Sequence, residues 1–120
     1  MLPRRFLYAV LLALILPLQA WADTAEVWVD VRSAGEYNSG HIAGHANIPH
    51  TEIAQRISEL TDDKNAPIRL YCRSGRRSGM AEAELAAMGY TDVQNLGGYE
   101  EVKANLELVA AECRKDPASC

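Results

Sequence analysis

Ile68-Arg69-Leu70-Tyr71-Cys72-Arg73-Ser74-Gly75-Arg76-Arg77-Ser78-Gly79 runs from a short apolar strand through a cysteine and a tight turn into a helical segment. The carboxyl end of a strand feeding a helix N-terminus is where α/β sheets bind ligands. A turn containing Gly75 can aim several backbone N–H groups inward, and the helix dipole adds positive potential, so the loop makes an anion nest. A cysteine on its floor becomes acidic: helix N-termini and neighbouring Arg lower a thiol pKa from about 8.5 to roughly 3.5–7.5. The competing reading is a packed strand-end cysteine, since free cysteine is among the most buried residue types. Arg73, Arg76 and Arg77 within five residues weigh against it, because a structural cysteine gives no reason to concentrate cation there.

Upstream, Ala25 to Val31 alternates and is rich in Val and Trp, which predicts a first strand. Ser33 followed by Glu36 has capping-box spacing and predicts a short helix over residues 34–38. Gly40, Gly44 and Pro49 break the next stretch into loop with a short strand at 46–48. Thr51 is placed to cap a helix carrying Ile53, Ala54, Ile57 and Leu60 and ending near Thr61. Downstream, a helix from Ser78 buries Ala81, Leu85, Ala86 and Met88 and stops at Gly89. Residues 91–96 form a last strand closed by Gly97-Gly98, and a helix over 99–113 places Val102, Leu106, Val109 and Cys113 on one stripe. This alternation predicts a single α/β domain, with a mainly parallel central sheet and helices on both faces.

The first residues have the layout of a secretory signal peptide: Arg4 and Arg5, an apolar run from Phe6 to Leu18, and small residues flanking Trp21. The run is shorter than the roughly 20 residues that span a bilayer, so cleavage after Ala22 and no stable membrane anchor are expected. Cleavage would remove two of the twelve Lys and Arg and none of the sixteen acids, leaving residues 23–120 with a formal charge of −6. So acidic a chain is a poor ligand for nucleic acid, which is bound chiefly by clustered Lys and Arg. Three cysteines cannot all pair within one chain. Cys113 and Cys120 are close enough in sequence to close a loop in an oxidising compartment, leaving Cys72 free; a resolving thiol for Cys72 or an intermolecular bridge are the other readings. His41 and His45 stand four apart, but Gly40 and Gly44 argue against a helix there and no third ligand is evident, so no metal site is expected. No nucleotide or flavin motif is visible, and no cofactor is expected.

Cys72-Arg73-Ser74-Gly75-Arg76-Arg77-Ser78 resembles the active-site loop of single-domain rhodaneses. Asp30-Val31-Arg32, Glu36-Tyr37 and the run Gly40 to Pro49 resemble that family's other hallmark stretch, and Gly89-Tyr90 and Asn95 to Gly98 also fit. The leader followed by a short domain looks like the periplasmic thiosulfate sulfurtransferases of bacteria. The tail beyond about Leu106 is left unassigned by the resemblance, and His45 stands where the family usually has a small residue. The resemblance implies a rhodanese-like domain over 23–120 in the periplasm. Cys72 would take the outer sulfur of thiosulfate as a persulfide and pass it to cyanide or a thiol, such as one on a thioredoxin-like protein. It makes the loop from Arg73 through Ser74, Gly75, Arg76 and Arg77 to Ser78 the substrate-binding segment, with Arg76 and Arg77 foremost. It also makes Asp30 and Arg32 a structural pair. Cell-cycle-type phosphatases share the fold class, but their loop places an Arg after five residues, where this chain has Ser78. An arsenate reductase or phosphatase and a persulfide carrier serving a partner protein remain the alternatives.

Overall fold

Strand β3, Ile68–Cys72, is flanked on both sides in a four-stranded sheet of order β2-β1-β3-β4. The other strands are β1 (Val27–Asp30), β2 (Ala46–Asn47) and β4 (Val93–Gly98), and every pairing is parallel. Helices α1 (Ala34–Ser39), α2 (Ile53–Arg56), α3 (Arg76–Ala87) and α4 (Tyr99–Lys115) fill the connections. The computed structural model describes residues 25–120; the leader and its cleavage point lie outside the described residues.

Alternation along β3 sorts its side chains. Ile68, Leu70 and Cys72 join Val29, Ile53, Ile57, Ala81 and Leu85 in one buried cluster, which places α2 and α3 over that face. Arg69 and Tyr71 point the other way, and Tyr71 lies against His45 and Tyr99, so the start of α4 covers the opposite face. A parallel sheet leaves neither face to water, and this arrangement meets that requirement with few helices.

Several predicted boundaries shift. The first strand is shorter than 25–31, and α3 begins at Arg76 rather than Ser78, so two of the loop arginines are already helical. β4 runs on to Gly98 instead of ending at Leu96. Thr51 caps no helix: a single 3-10 turn (His50–Glu52), α2 and another 3-10 turn (Ile57–Glu59) replace the continuous helix, while Ile53 and Ile57 still reach the core. The capping box forms as expected, with the Ser33 hydroxyl accepting from the Glu36 N–H and the Ser33 N–H donating to the Glu36 carboxylate. The stripe on α4 is buried only at Val102, and Val109, 59% exposed, stands in solvent. Cys113 and Cys120 are joined in a disulfide that folds the C-terminal 3-10 turn back on α4.

Candidate active site

Because all four strands are parallel, their carboxyl ends meet along one edge, and the loop Cys72–Arg76 stands at its centre. Cys72 closes β3, is wholly buried and is the free cysteine of the described residues. Gly75 adopts φ +93, a left-handed conformation that favours glycine, and its N–H donates to Cys72 Sγ at 3.0 Å. The Ser78 hydroxyl lies 3.4 Å from the same sulfur and 2.7 Å from Asn95 Oδ1, so its one proton is shared between the two acceptors. Burial pushes the Cys72 thiol up, but hydrogen bonds from the Ser78 hydroxyl and from the backbone N–H groups of Ser78, Ser74 and Gly75 outweigh it and bring the pKa down to about 7.

The loop is held from beneath by β4. β3 and β4 are irregularly matched, with Leu70 opposite Asn95 but Cys72 opposite Gly98. Asn95, paired with Leu70 just before this irregularity, reaches the loop: its amide donates to the Gly75 carbonyl while its oxygen accepts from Ser78 and the Gly97 N–H. Gly98 passes so close to the Arg73 carbonyl that a Cβ there would stand 2.8 Å from it.

The three arginines differ. Arg77 forms a two-pronged ion pair with Glu36 of α1, at 2.6 and 3.0 Å. The Arg77 guanidinium holds the Glu36 carboxyl at a pKa of about 2, and Glu36 in turn raises that of Arg77. Arg73 and Arg76 are exposed and make no ion pair among the described residues. Ser74 is exposed, whereas Ser78 is buried beneath the sulfur, so its hydroxyl faces the protein.

Asp30 and Arg32 are the pair that the resemblance implied: their ion pair is 2.8 Å long and buried, and Arg32 also donates to the Gly40 carbonyl. His45 stacks on Trp28, and its Nδ1 shares a 2.8 Å hydrogen bond with the Tyr71 hydroxyl. His41 stacks on Tyr37, its Nδ1 against the Tyr37 carbonyl. Asn95 and Glu36 are the participants that loop reading missed. Glu36 showed as a helix-capping residue and, with Tyr37, as part of the family resemblance, and Asn95 showed only within the 95–98 stretch that fits the family; neither was given a role at the loop.

Residues 17–105 match the sequence model of the Rhodanese-like domain family. The chain is 43% identical over 91 residues to the thiosulfate sulfurtransferase PspE of Escherichia coli, covering 76% of this chain and 86% of that protein. It is 36% identical over 83 residues to the thiosulfate sulfurtransferase GlpE of Pseudomonas fluorescens, covering 68% and 74%. Among solved structures, a rhodanese with anions from E. coli superposes with a TM-score of 0.61 at 45% identity, over 63% of this chain and 89% of that one. The Rhodanese-like domain of the Alr3790 protein from Anabaena gives 0.63 at 30% identity, over 71% and 80%. With the family's sequence matched over most of its length and the family's fold found in these relatives, the chain belongs to the rhodanese-like domain family.

Proposed function

We propose that this protein is a thiosulfate sulfurtransferase that carries the transferred sulfur as a persulfide on Cys72. The observation that carries the reading is the acidified Cys72 thiol at the floor of a nest of N–H donors, in a chain whose relatives include thiosulfate sulfurtransferases. The thiolate attacks the outer sulfur of thiosulfate; the sulfur–sulfur bond of the donor breaks and sulfite leaves with its electron pair. Cyanide or a thiol, free or on a thioredoxin-like protein, then attacks the outer sulfur of the persulfide and releases Cys72 as thiolate. Splitting one transfer into two displacements lowers each barrier. The N–H groups of Ser74, Gly75 and Ser78, already turned toward Sγ, hold the negative charge that moves between the two sulfurs.

Arg73 and Arg76, exposed and unpaired, are the cations suited to draw in the dianion; Arg77, tied to Glu36, adds potential and fixes the helix start. A periplasmic address fits the composition of the first 22 residues and the Cys113–Cys120 disulfide, since such bonds persist in oxidising compartments. Among the described residues no helix is long and apolar enough to cross a membrane.

Intact mass before and after thiosulfate tests the central step. The reading expects a gain of one sulfur, about 32 Da, absent in Cys72→Ser and reversed by cyanide, as a covalent intermediate requires. No gain on reduced Cys72 would turn the assignment toward a carrier loaded by a protein donor.

A further inference from the structure

Next to the cysteine loop, α1 and the first turns of α4 enclose an open groove of about 800 Å³. Two features join it to the loop. Arg73, which follows Cys72, forms part of its wall, and Gly98, opposite Cys72 in the sheet, leads directly into Tyr99 on another wall. The Tyr99 ring carries the Arg32 guanidinium at 4.0 Å, and Lys103 Nζ stands 6.0 Å from its centroid. Most charges here are already matched, Arg32 with Asp30 and Glu36 with Arg77. What remains to meet a ligand is Arg73 and Lys103, neither ion-paired among the described residues, against the single acid Glu100. In a chain of net charge −4, this wall is locally cationic.

We infer that the groove is the acceptor subsite and that it takes a small thiol bearing a carboxylate, which rests on Arg73 and Lys103 while its sulfur faces the persulfide. The inference rests on the persulfide reading above and names the acceptor for it. The acceptor loses its thiol proton to solvent, and its thiolate attacks the outer sulfur. The bond from that sulfur to Cys72 Sγ breaks, its electron pair remains on Cys72, and the acceptor departs as a persulfide. No oxidant or reductant enters. A diatomic anion such as cyanide needs no groove of this size, whereas a carboxylate thiol uses both the space and the cations.

The test loads the full chain with thiosulfate, confirms the added sulfur by mass and removes the donor. Transfer is then followed to 3-mercaptopropionate and to uncharged 2-mercaptoethanol, each rate normalised to thiolate concentration. The carboxylate thiol is expected to be preferred. Lys103→Glu should cut the preference by about five-fold, the size expected for exposed charge pairs, and Glu100→Gln should raise it. The gain of one sulfur from thiosulfate, read by mass in each protein before any thiol is added, would show the loop intact, and added salt should shrink the preference. A preference that neither substitution changes would overturn the groove assignment alone. A chain that never gains sulfur would overturn the persulfide reading and this inference with it.

Discussion

The Cys72 sulfur lies between burial, which favours the neutral thiol, and a ring of donors, which favours the thiolate, and the donors prevail. Its alkylation by iodoacetamide should therefore rise with pH around a midpoint of about 7, not the 8.5 of an unperturbed cysteine, and sulfur loading should follow the same curve. Ser78→Ala removes one donor and should move that midpoint upward. That Cys72 and the three arginines gather on one loop was legible because they adjoin in the chain, and adjacency on a strand-turn-helix segment nearly determines adjacency in space. Asn95 was not legible as a site residue: seventeen positions separate it from Ser78, and only the pairing of β3 with β4 and the packing of α3 on them bring the two together. Likewise, nothing local to Arg77 announces that Glu36, forty-one residues earlier, pairs with its guanidinium.

At the level of elements, the site is a junction of three: the end of β3, the start of α3 and the turn from β4 into α4. Gly98 is where two of them touch. Gly98→Ala should force the Arg73 carbonyl aside and cost about 1–3 kcal/mol, as overpacking does, visible as a lower urea midpoint together with slower sulfur loading. The Glu36–Arg77 pair ties α1 to α3. The folded-state pKa of Glu36 lies below its ordinary value of 4.5, so the pair adds stability that is present above about pH 4.5 and lost as pH falls toward about 2. Both side chains are about 30% exposed, which limits the effect to the order of 1 kcal/mol. Unfolding of the chain and of Glu36→Gln at pH 6 and pH 3 should show a smaller acid loss in the variant. The periodicity of the strands and of α3 was readable because each buries a face, although of the stripe expected on α3 only Ala81 and Leu85 are buried while Ala86 and Met88 are exposed. The region around α2 was not, because Ile53 and Ile57 reach the core equally well from tight turns as from a continuous helix.

Taken whole, the molecule is a sheet-centred domain with a long helix running out from it. α4 meets β3 and β4 at its first turns and then leaves them, and Leu108 and Val109 stand 65% and 59% exposed. The amphipathic stripe was correctly periodic, yet periodicity records which side chains share a face and not whether anything covers it. The family match ends at residue 105, and the disulfide secures the last turns of α4 and the C-terminal residues beyond them. Replacing both Cys113 and Cys120 by Ser should leave the rate of sulfur loading unchanged, since neither residue approaches the loop; a slowed rate would mean that the tail acts on the site.

That helix also keeps two kinds of sulfur chemistry apart. Tyr99 begins beside Cys72, and Cys113 comes fourteen residues later, about 21 Å along the axis at 1.5 Å per residue. A thiolate or persulfide at one end of so stiff a rod cannot attack the bridge at the other, so the chain is insulated against short-circuiting itself. Scrambling would require two molecules to collide and would scale with their concentration, so the persulfide proposed on Cys72 and an oxidised pair are compatible in one small protein.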